Sequence, residues 1–277
     1  MNEIYSSYRL KVARAKQLID ELQEAVSTFF AGKPFSVYIE DDAGTGLRLW
    51  KVKVREEIPV MWSAVVGDVV HNLRSALDLL AVQIVRHCEP TRKKFAEVQF
   101  PIASDENWFE KGLERRMGRI SPDAKKVIRE MKPYKGGNSR FYELSEINNI
   151  DKHRAVILVG GAQSSFGMAW ELFDVYENRE IGTGIVKSIS TVPRPPKVFH
   201  IDSELSQRKF PIVDGSILLS NPYRSVVDDL HEFRFDVAFG ADQIFDGEFL
   251  IPTLRELCSF VETIIEEAEV KILFSVL

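Results

Sequence analysis

The residues with the clearest chemical potential lie in one short segment, GDVVHNLRSALD, at positions 67–78. On an α-helix, which turns about 100° per residue, Arg74, Ser75 and Asp78 fall within about 60° of His71. The polar side chains therefore share one face of a single helix. An imidazole beside a carboxylate can transfer protons, and a guanidinium can bind an anionic group. This face is the first candidate site.

The polar face is bordered by apolar residues, which predicts that it is buried. The neighbouring apolar positions on the same helix include Val70, Leu73, Ala76, Leu77 and Leu80. Buried polar groups are costly unless they are hydrogen-bonded or paired. Arg74 and Asp78 are spaced i, i+4, so we expect them to pair with each other. His71 then needs a partner on another helix.

A second polar motif, LSEINNIDKHR at positions 144–154, supplies a candidate partner. Helical geometry places Asp151 and Arg154 on the apolar face of this segment, which is expected to pack inward. His153 points away from that face. We therefore expect Asp151 and Arg154 to lie opposite His71.

Two interpretations of these residues remain open. In the structural interpretation, the polar side chains form a buried ion-pair and hydrogen-bond network that fixes the register of two core helices. In the functional interpretation, they line a pocket that carries out acid–base chemistry. The candidate site residues are His71, Arg74, Asp78, Asp151, His153 and Arg154.

A metal site is the less favoured form of the functional interpretation. The side chains of His71, Asp78, Asp151 and His153 would make a nitrogen–oxygen set suited to zinc, manganese or iron. However, residues spaced i, i+7 on a helix are about 10.5 Å apart along its axis, which is too far for one ion. Phosphate-loop, nucleotide-fingerprint, HExxH and GxSxG motifs are also absent from the sequence. The sequence therefore predicts no metal and no cofactor.

The elements that must position these residues are mainly helical in the first half of the chain. Apolar residues at mixed spacings of three and four predict a long first helix from about residue 4 to residue 30, which Gly32 ends. Residues 35–40 and 47–54 are rich in β-branched and aromatic types and flank a turn, which predicts a hairpin. A second long helix, over about residues 60–87, carries the polar face.

Shorter helices are predicted next. Ser104 is the expected N-cap of one, Ser121 with the following proline starts another, and a third covers about residues 140–153. The basic residues Arg115, Arg116 and Arg119 are interpreted as a solvated helix end.

From Ala155 onward the apolar residues alternate, which predicts antiparallel strands. The prolines at 193, 195 and 196 and the following VFHI are interpreted as an exposed connection between strands. After Pro252 a one-sided apolar pattern predicts a last helix. The predicted fold is α+β, with a helical core at 1–154 that includes the hairpin at 35–54, an antiparallel β region at 155–247, and a C-terminal helix at 248–277 that returns to the core.

Composition limits the class of protein. The chain has 277 residues, 45% hydrophobic and 28% charged, as is usual for a globular protein. It contains no apolar run near the roughly 18 to 20 residues that span a bilayer, and its N-terminus lacks a secretory-signal pattern. Cys88 and Cys258 suggest no disulfide framework. We therefore expect a cytoplasmic protein without a membrane partner, and the net charge of −5 argues against a surface devoted wholly to nucleic acid.

The segments GDVVHNLRSALDLLA, FPI, MKPY and INNIDKHRAV occur in an order that resembles a family of uncharacterised bacterial and phage-borne proteins. The resemblance covers roughly residues 60–156. It implies no established activity. Leu79 stands where many such sequences have a second histidine, which weakens the metal interpretation further.

The helical part is also similar, more faintly, to HEPN-type helical bundles. Ribonucleases of that class use an Arg-x4-6-His motif with a polar residue from a neighbouring helix. The spacing occurs at Arg194–His200 and Arg224–His231, both in the predicted β region, and no arginine precedes His71 or His153 at the required distance.

These observations predict a binding or regulatory module with a buried His/Arg/Asp network, linked to phage or host defence. The alternative is a HEPN-like ribonuclease or another hydrolase. In that alternative His71 is the acid–base residue, Asp78 or Asp151 orients it, and Arg74 or Arg154 binds an anionic substrate. The expected partners are a second copy of the chain, bound through the long first helix, and a protein or an RNA.

Overall fold

The computed structural model describes residues 6–153, 159–170, 197–201, 212–222, 231–240 and 244–274. Helices and antiparallel strands both contribute, so the predicted α+β fold is confirmed. The chain divides into a helical unit, residues 1–34, 56–161 and 237–277, and a β unit, residues 35–55 and 162–236.

The described helices are α1 Ser7–Ala31, α2 Met61–Cys88, α3 Glu106–Met117, α4 Pro122–Glu130, α5 Ser139–His153 and α6 Leu250–Ala268, which continues into a π-helical turn, Glu269–Leu273. The described strands are β1 Phe35–Asp42, β2 Leu47–Val54, β3 Val159–Trp170, β4 Lys197–Ile201, β5 Ile217–Pro222 and β6 His231–Phe239.

Helix α2 is the centre of the helical unit and packs against α1, α5 and α6. The apolar positions that border its polar face are fully buried, at 0% exposure: Val70, Leu73, Ala76, Leu77 and Leu80. Burying each large aliphatic side chain stabilises the fold by roughly 1.5–3 kcal/mol. The core therefore fixes the rotation of α2 and the direction in which its polar face points.

Helix α1 covers one side of α2 with an apolar face that is buried from Tyr8 to Phe29. At its end, the ring of Phe29 packs edge-to-face on Trp62 of α2, with ring centres 5.4 Å apart. Among the described helices, none is long and apolar enough to cross a membrane.

The described strands form two three-stranded sheets, with strand orders β1-β2-β5 and β4-β3-β6. The predicted hairpin is present, since β1 and β2 pair antiparallel from Phe35 opposite Val54 to Asp42 opposite Leu47. Strand β2 also pairs antiparallel with β5. The sequence-based division placed the hairpin with the helical core, whereas the structure groups it with the β unit because β2 hydrogen-bonds to β5.

One strand was interpreted wrongly from the sequence. The VFHI segment was expected to be an exposed connection, but Lys197–Ile201 is strand β4 and pairs antiparallel with β3. The physical reason is that proline's missing amide donor affects only its own position in a ladder, so pairing can begin directly after the last proline. The prolines themselves lie outside the described residues.

The starts of two short helices show which side chains cap them. Ser121 caps α4 as predicted, because its side chain accepts a hydrogen bond from the backbone nitrogen of Ala124. The predicted cap of α3, Ser104, is wrong by one residue. Asp105 has the extended backbone of a cap, and its carboxylate accepts from the backbone nitrogen of Trp108 at 2.9 Å.

The two cysteines lie in different environments. Cys258 on α6 is 3% exposed, and burial raises the pKa of its thiol to about 11. Cys88 is half-buried at the end of α2.

A buried carboxylate joins the two ends of the helical unit. Glu269, in the π-helical turn, is 6% exposed. Its Oε1 accepts from the Tyr8 hydroxyl at 2.8 Å and from Arg9 Nε at 2.9 Å, and Arg9 Nη2 donates to its other oxygen. Burial opposes ionisation, but these donors outweigh it and hold the pKa of Glu269 below its ordinary value.

This shift predicts how stability depends on pH. Because the folded pKa lies below the unfolded one, the unfolded chain takes up the proton first as the pH falls. The stabilisation is therefore complete above the ordinary glutamate pKa of about 4.3 and is lost as the pH falls through the folded pKa. We expect the gap in unfolding free energy between the wild type and Glu269→Gln to shrink from about pH 6 to about pH 3, measured by urea denaturation.

The matched control is Glu266→Gln, an exposed carboxylate three residues earlier on the same helix. It should change the unfolding free energy by no more than about 0.5 kcal/mol. A gap for Glu269→Gln that stays constant with pH would contradict the role of the charge.

Candidate functional site

The polar face of α2 is built around a buried arginine. Arg74 Nη1 donates to Asp78 Oδ1 at 2.7 Å, which is the predicted ion pair, and Arg74 Nη2 donates to the backbone oxygen of Phe100 at 3.2 Å. Asp78 Oδ1 also accepts from the backbone nitrogen of Phe100 at 2.9 Å. We call this closed set of contacts between Arg74, Asp78 and Phe100 the Arg74 clamp.

The clamp holds the non-helical segment around Phe100, which connects α2 to α3. The ring of Phe100 stacks on Phe141 of α5, with centres 5.4 Å apart and planes 12° apart. Phe141 in turn packs edge-to-face on Phe260 of α6 at 4.8 Å. The ion pair on α2 therefore fixes the packing of α5 and α6 through the ring of Phe100.

Burial sets the electrostatics of the clamp. The Arg74 side chain is 9% exposed, and burial lowers its pKa, while the Asp78 carboxylate opposes that effect. Arginine remains protonated in proteins, so the guanidinium is a buried cation. The Asp78 carboxylate, 31% exposed, neutralises it from the solvent side.

A second arginine lies near the clamp, which the sequence interpretation missed. Arg116 was interpreted as part of a solvated helix end, but it is half-buried and makes a long contact of 3.5 Å from Nη1 to the backbone oxygen of Ile102. Burial and the positive charge of Arg74 lower its pKa. It could not be found from the sequence because its neighbours come from three separate segments.

Asp151 of α5 lies directly against the backbone of α2. A Cβ atom added at Gly67 would stand 2.3 Å from Asp151 Oδ1, which is closer than real contacts allow. Gly67 precedes His71 by four residues, so Asp151 contacts the polar face one turn before the histidine. The absence of a side chain at Gly67 is what allows this approach.

His71 is half-buried and contacts its own helix. Its Nε2 lies 3.5 Å from Ser75 Oγ. Among the residues that the structure describes, no carboxylate is hydrogen-bonded to His71, and Asp78 contacts Arg74 and Phe100 instead. The described contact of His71 is therefore within its own helix, and Arg154, one of its two expected partners, lies outside the described residues.

The other candidate residues lie at the end of α5. Helix α5 ends at His153. Arg154 lies outside the described residues. Within the described part of the chain, no group of three or more His, Cys, Asp or Glu residues could hold a metal ion.

Asn148 is a polar group that the sequence interpretation overlooked. It is 4% exposed, and its Oδ1 has no hydrogen-bond partner in the described part of the chain. Phe141 reaches the clamp and Asp151 reaches Gly67, so α5 runs antiparallel to α2 and Asn148 lies between these two contacts along α5. The sequence did contain a signal that Asn148 is buried. It lies four residues after Leu144, which places it about 40° from Leu144 around the helix, on the buried face.

The site therefore has a part whose polar groups are satisfied and a part with an unsatisfied acceptor. The Arg74 clamp is satisfied by its own members, whereas Asn148 has an unused acceptor and His71 has only a long contact with Ser75. Comparison with known proteins adds no relative, since no protein-family model, no curated protein and no solved structure matches the chain.

The contact between Gly67 and Asp151 predicts opposite effects of one substitution in two backgrounds. Alanine is favoured over glycine in a helix by about 1 kcal/mol. In the wild type, Gly67→Ala should still lower stability by about 1–3 kcal/mol, because the added methyl meets the carboxylate. In an Asp151→Ala background the same change should raise stability. Urea denaturation of the wild type, the two single variants and the double variant measures both effects.

Gly112→Ala is the matched control, because the nearest atom to its added Cβ is 4.0 Å away. It should stabilise α3 by up to about 1 kcal/mol. Equal effects of Gly67→Ala with and without Asp151 would rule out the steric contact.

The clamp predicts a large cost for removing its carboxylate. Asp78→Asn leaves a buried guanidinium without its counter-charge, which we expect to lower the unfolding free energy by about 3 kcal/mol. The control is Asp20→Asn, which breaks an ion pair with Arg255 of similar length, 2.8 Å, but with side chains that are 64% exposed for Asp20 and 48% exposed for Arg255. That change should cost about 0.2–1 kcal/mol. Similar losses in the two variants would show that Arg74 is solvated.

Proposed function

We propose that this protein is a binding or regulatory module that recognises a partner group at the unsatisfied part of the polar site, near Asn148. The observation that carries the proposal is the buried, unpaired Oδ1 of Asn148. A buried carbonyl oxygen without a donor costs about 1–3 kcal/mol, which a ligand bearing an N–H or O–H group would recover. Unpaired groups of this kind are tolerated where they serve binding.

The neighbouring residues define the chemistry of the partner group. Asp151 places a carboxylate one turn from Asn148, against Gly67. The unpaired Oδ1 of Asn148 is an acceptor, so it favours a donor such as an amine, an amide or a guanidinium. His71 and Ser75 lie one turn and two turns beyond Gly67 on α2 and can donate or accept.

A hydrolase, including a HEPN-like ribonuclease, is the second candidate. The contact between His71 Nε2 and Ser75 Oγ favours it, since an imidazole beside a hydroxyl is one form of an activated nucleophile. Two observations speak against it. The contact is long, and Arg74 and Asp78 are engaged in the clamp.

The link to phage or host defence rests on the family resemblance alone and remains part of this proposal. The homodimer also remains part of this proposal. It was expected because the apolar face of α1 is long, but that face is buried within the same chain, so a dimer would need a different surface.

The proposal predicts that the protein is less stable with Asn148 than with an apolar residue at this position. Replacing it by leucine, of similar volume, removes the unpaired acceptor, so Asn148→Leu should raise the unfolding free energy by about 1 kcal/mol. The control is Asn149→Leu, at a half-buried amide on the same helix that donates to Glu146, which should not raise it. A loss of stability in Asn148→Leu would show that the amide is paired and would remove the basis of the proposal.

The hydrolase candidate is tested with the wild-type protein and the His71→Ala variant. Wild-type protein is incubated with a 5′-labelled single-stranded RNA, with and without magnesium, and the products are separated on a gel. We expect intact RNA. Cleavage that is lost in His71→Ala, with unchanged thermal stability, would favour the ribonuclease instead.

A further inference from the structure

A second surface of the helical unit has features of a docking site. A shallow groove of about 550 Å³ lies between the second half of α1 and the start of α2. It is lined by Glu21, Glu24, Ala25, Thr28, Phe29, Pro59 and Trp62.

The floor and one edge of the groove are apolar. Phe29 and Trp62 pack against each other at its base. Between Pro59 and Trp62 in sequence, Val60 is 81% exposed and Met61 is 71% exposed. Adjacent, highly exposed aliphatic side chains beside an apolar groove mark a surface that gains stability when a partner covers it.

The rim of the groove is acidic. Glu24 lines it, and Glu56 and Glu57 lie three and two residues before Pro59 in sequence. Within the described part of the chain, none of these three carboxylates has an ion pair, and the basic partner of Glu21 is Arg14 at 3.8 Å. No basic residue is among those that line the groove. The surface therefore combines an apolar floor with a rim on which Glu21 pairs with Arg14 and Glu24 has no ion pair among the described residues.

We propose that this groove binds an amphipathic helical segment of another protein, with apolar residues at i, i+3 or i+4, and i+7 flanked by lysine or arginine. The apolar stripe of such a helix fits a groove between two helices, and its basic flanks match the acidic rim. The negative rim disfavours nucleic acid and anionic lipid surfaces. The inference concerns a different surface from the polar site and does not depend on it.

A purely structural role for the acidic residues is the competing explanation. Helix α2 has no acidic residue in its first turn and no side-chain cap, so nearby carboxylates could stabilise its positive N-terminal end. In that case their removal would lower thermal stability without affecting binding.

The test uses a fluorescein-labelled helical peptide of leucine and lysine with that spacing, titrated with the full-length protein at about 0.15 M salt and followed by anisotropy. We expect saturable binding. Glu21→Gln/Glu24→Gln should weaken it by about five-fold or more, since each lost charge pair contributes up to about 1 kcal/mol. Met61→Glu, which places a charge in the apolar contact, should weaken it by about ten-fold or more.

The control for net charge is Glu97→Gln/Asp123→Asn, which removes the same formal charge at two exposed carboxylates away from the groove. It should change affinity by less than about two-fold. Three results would overturn the proposal: equal weakening in both double variants, an unaffected Met61→Glu, or a lower melting temperature in Glu21→Gln/Glu24→Gln with unchanged binding. A concentration-dependent dimer that Met61→Glu abolishes, without peptide binding, would assign the groove to a second copy of the chain.

Discussion

The buried guanidinium of Arg74 is the constraint on which the helical unit depends. A cation removed from water is stable only if its donors are used and its charge is opposed. Asp78 opposes the charge. The backbone oxygen of Phe100 accepts a hydrogen bond from Arg74, and the backbone nitrogen of Phe100 donates one to Asp78. This exchange fixes a segment that has no helix or strand of its own. Through the ring of Phe100 it also determines where Phe141, and therefore α5, can pack.

The position of α5 decides what the rest of the polar face can do. With one end of α5 held at Phe100 and the other at Gly67, Asp151 and Asn148 are brought to the same side of α2 as His71. The residues of the clamp are satisfied within the protein, whereas the buried Oδ1 of Asn148 has no hydrogen-bond donor in the described part of the chain.

Local spacing explains which parts of this arrangement the sequence could predict. The pairing of Arg74 with Asp78 depends on a four-residue interval, and the inward position of Asp151 depends on helical periodicity, so both follow from the sequence. The role of Phe100 in the clamp does not, because it contributes a backbone N–H and C=O, which every residue type except proline carries. The contact of Tyr8 with Glu269 joins residues 261 positions apart, and no periodicity connects them. In the same way, the pairing of β2 with β5 depends on a partner strand distant in sequence.

The unequal burial of the two cysteines has a practical consequence for spectroscopy. A thiol reacts as its thiolate, and the Cys258 thiol is both enclosed and held protonated at neutral pH. Cys88 is the more accessible of the two and lies at the end of the helix that carries the clamp. A maleimide dye or spin label would therefore attach selectively to α2 in the native chain, without engineered cysteines, and would report on that helix from the end opposite the acidic groove.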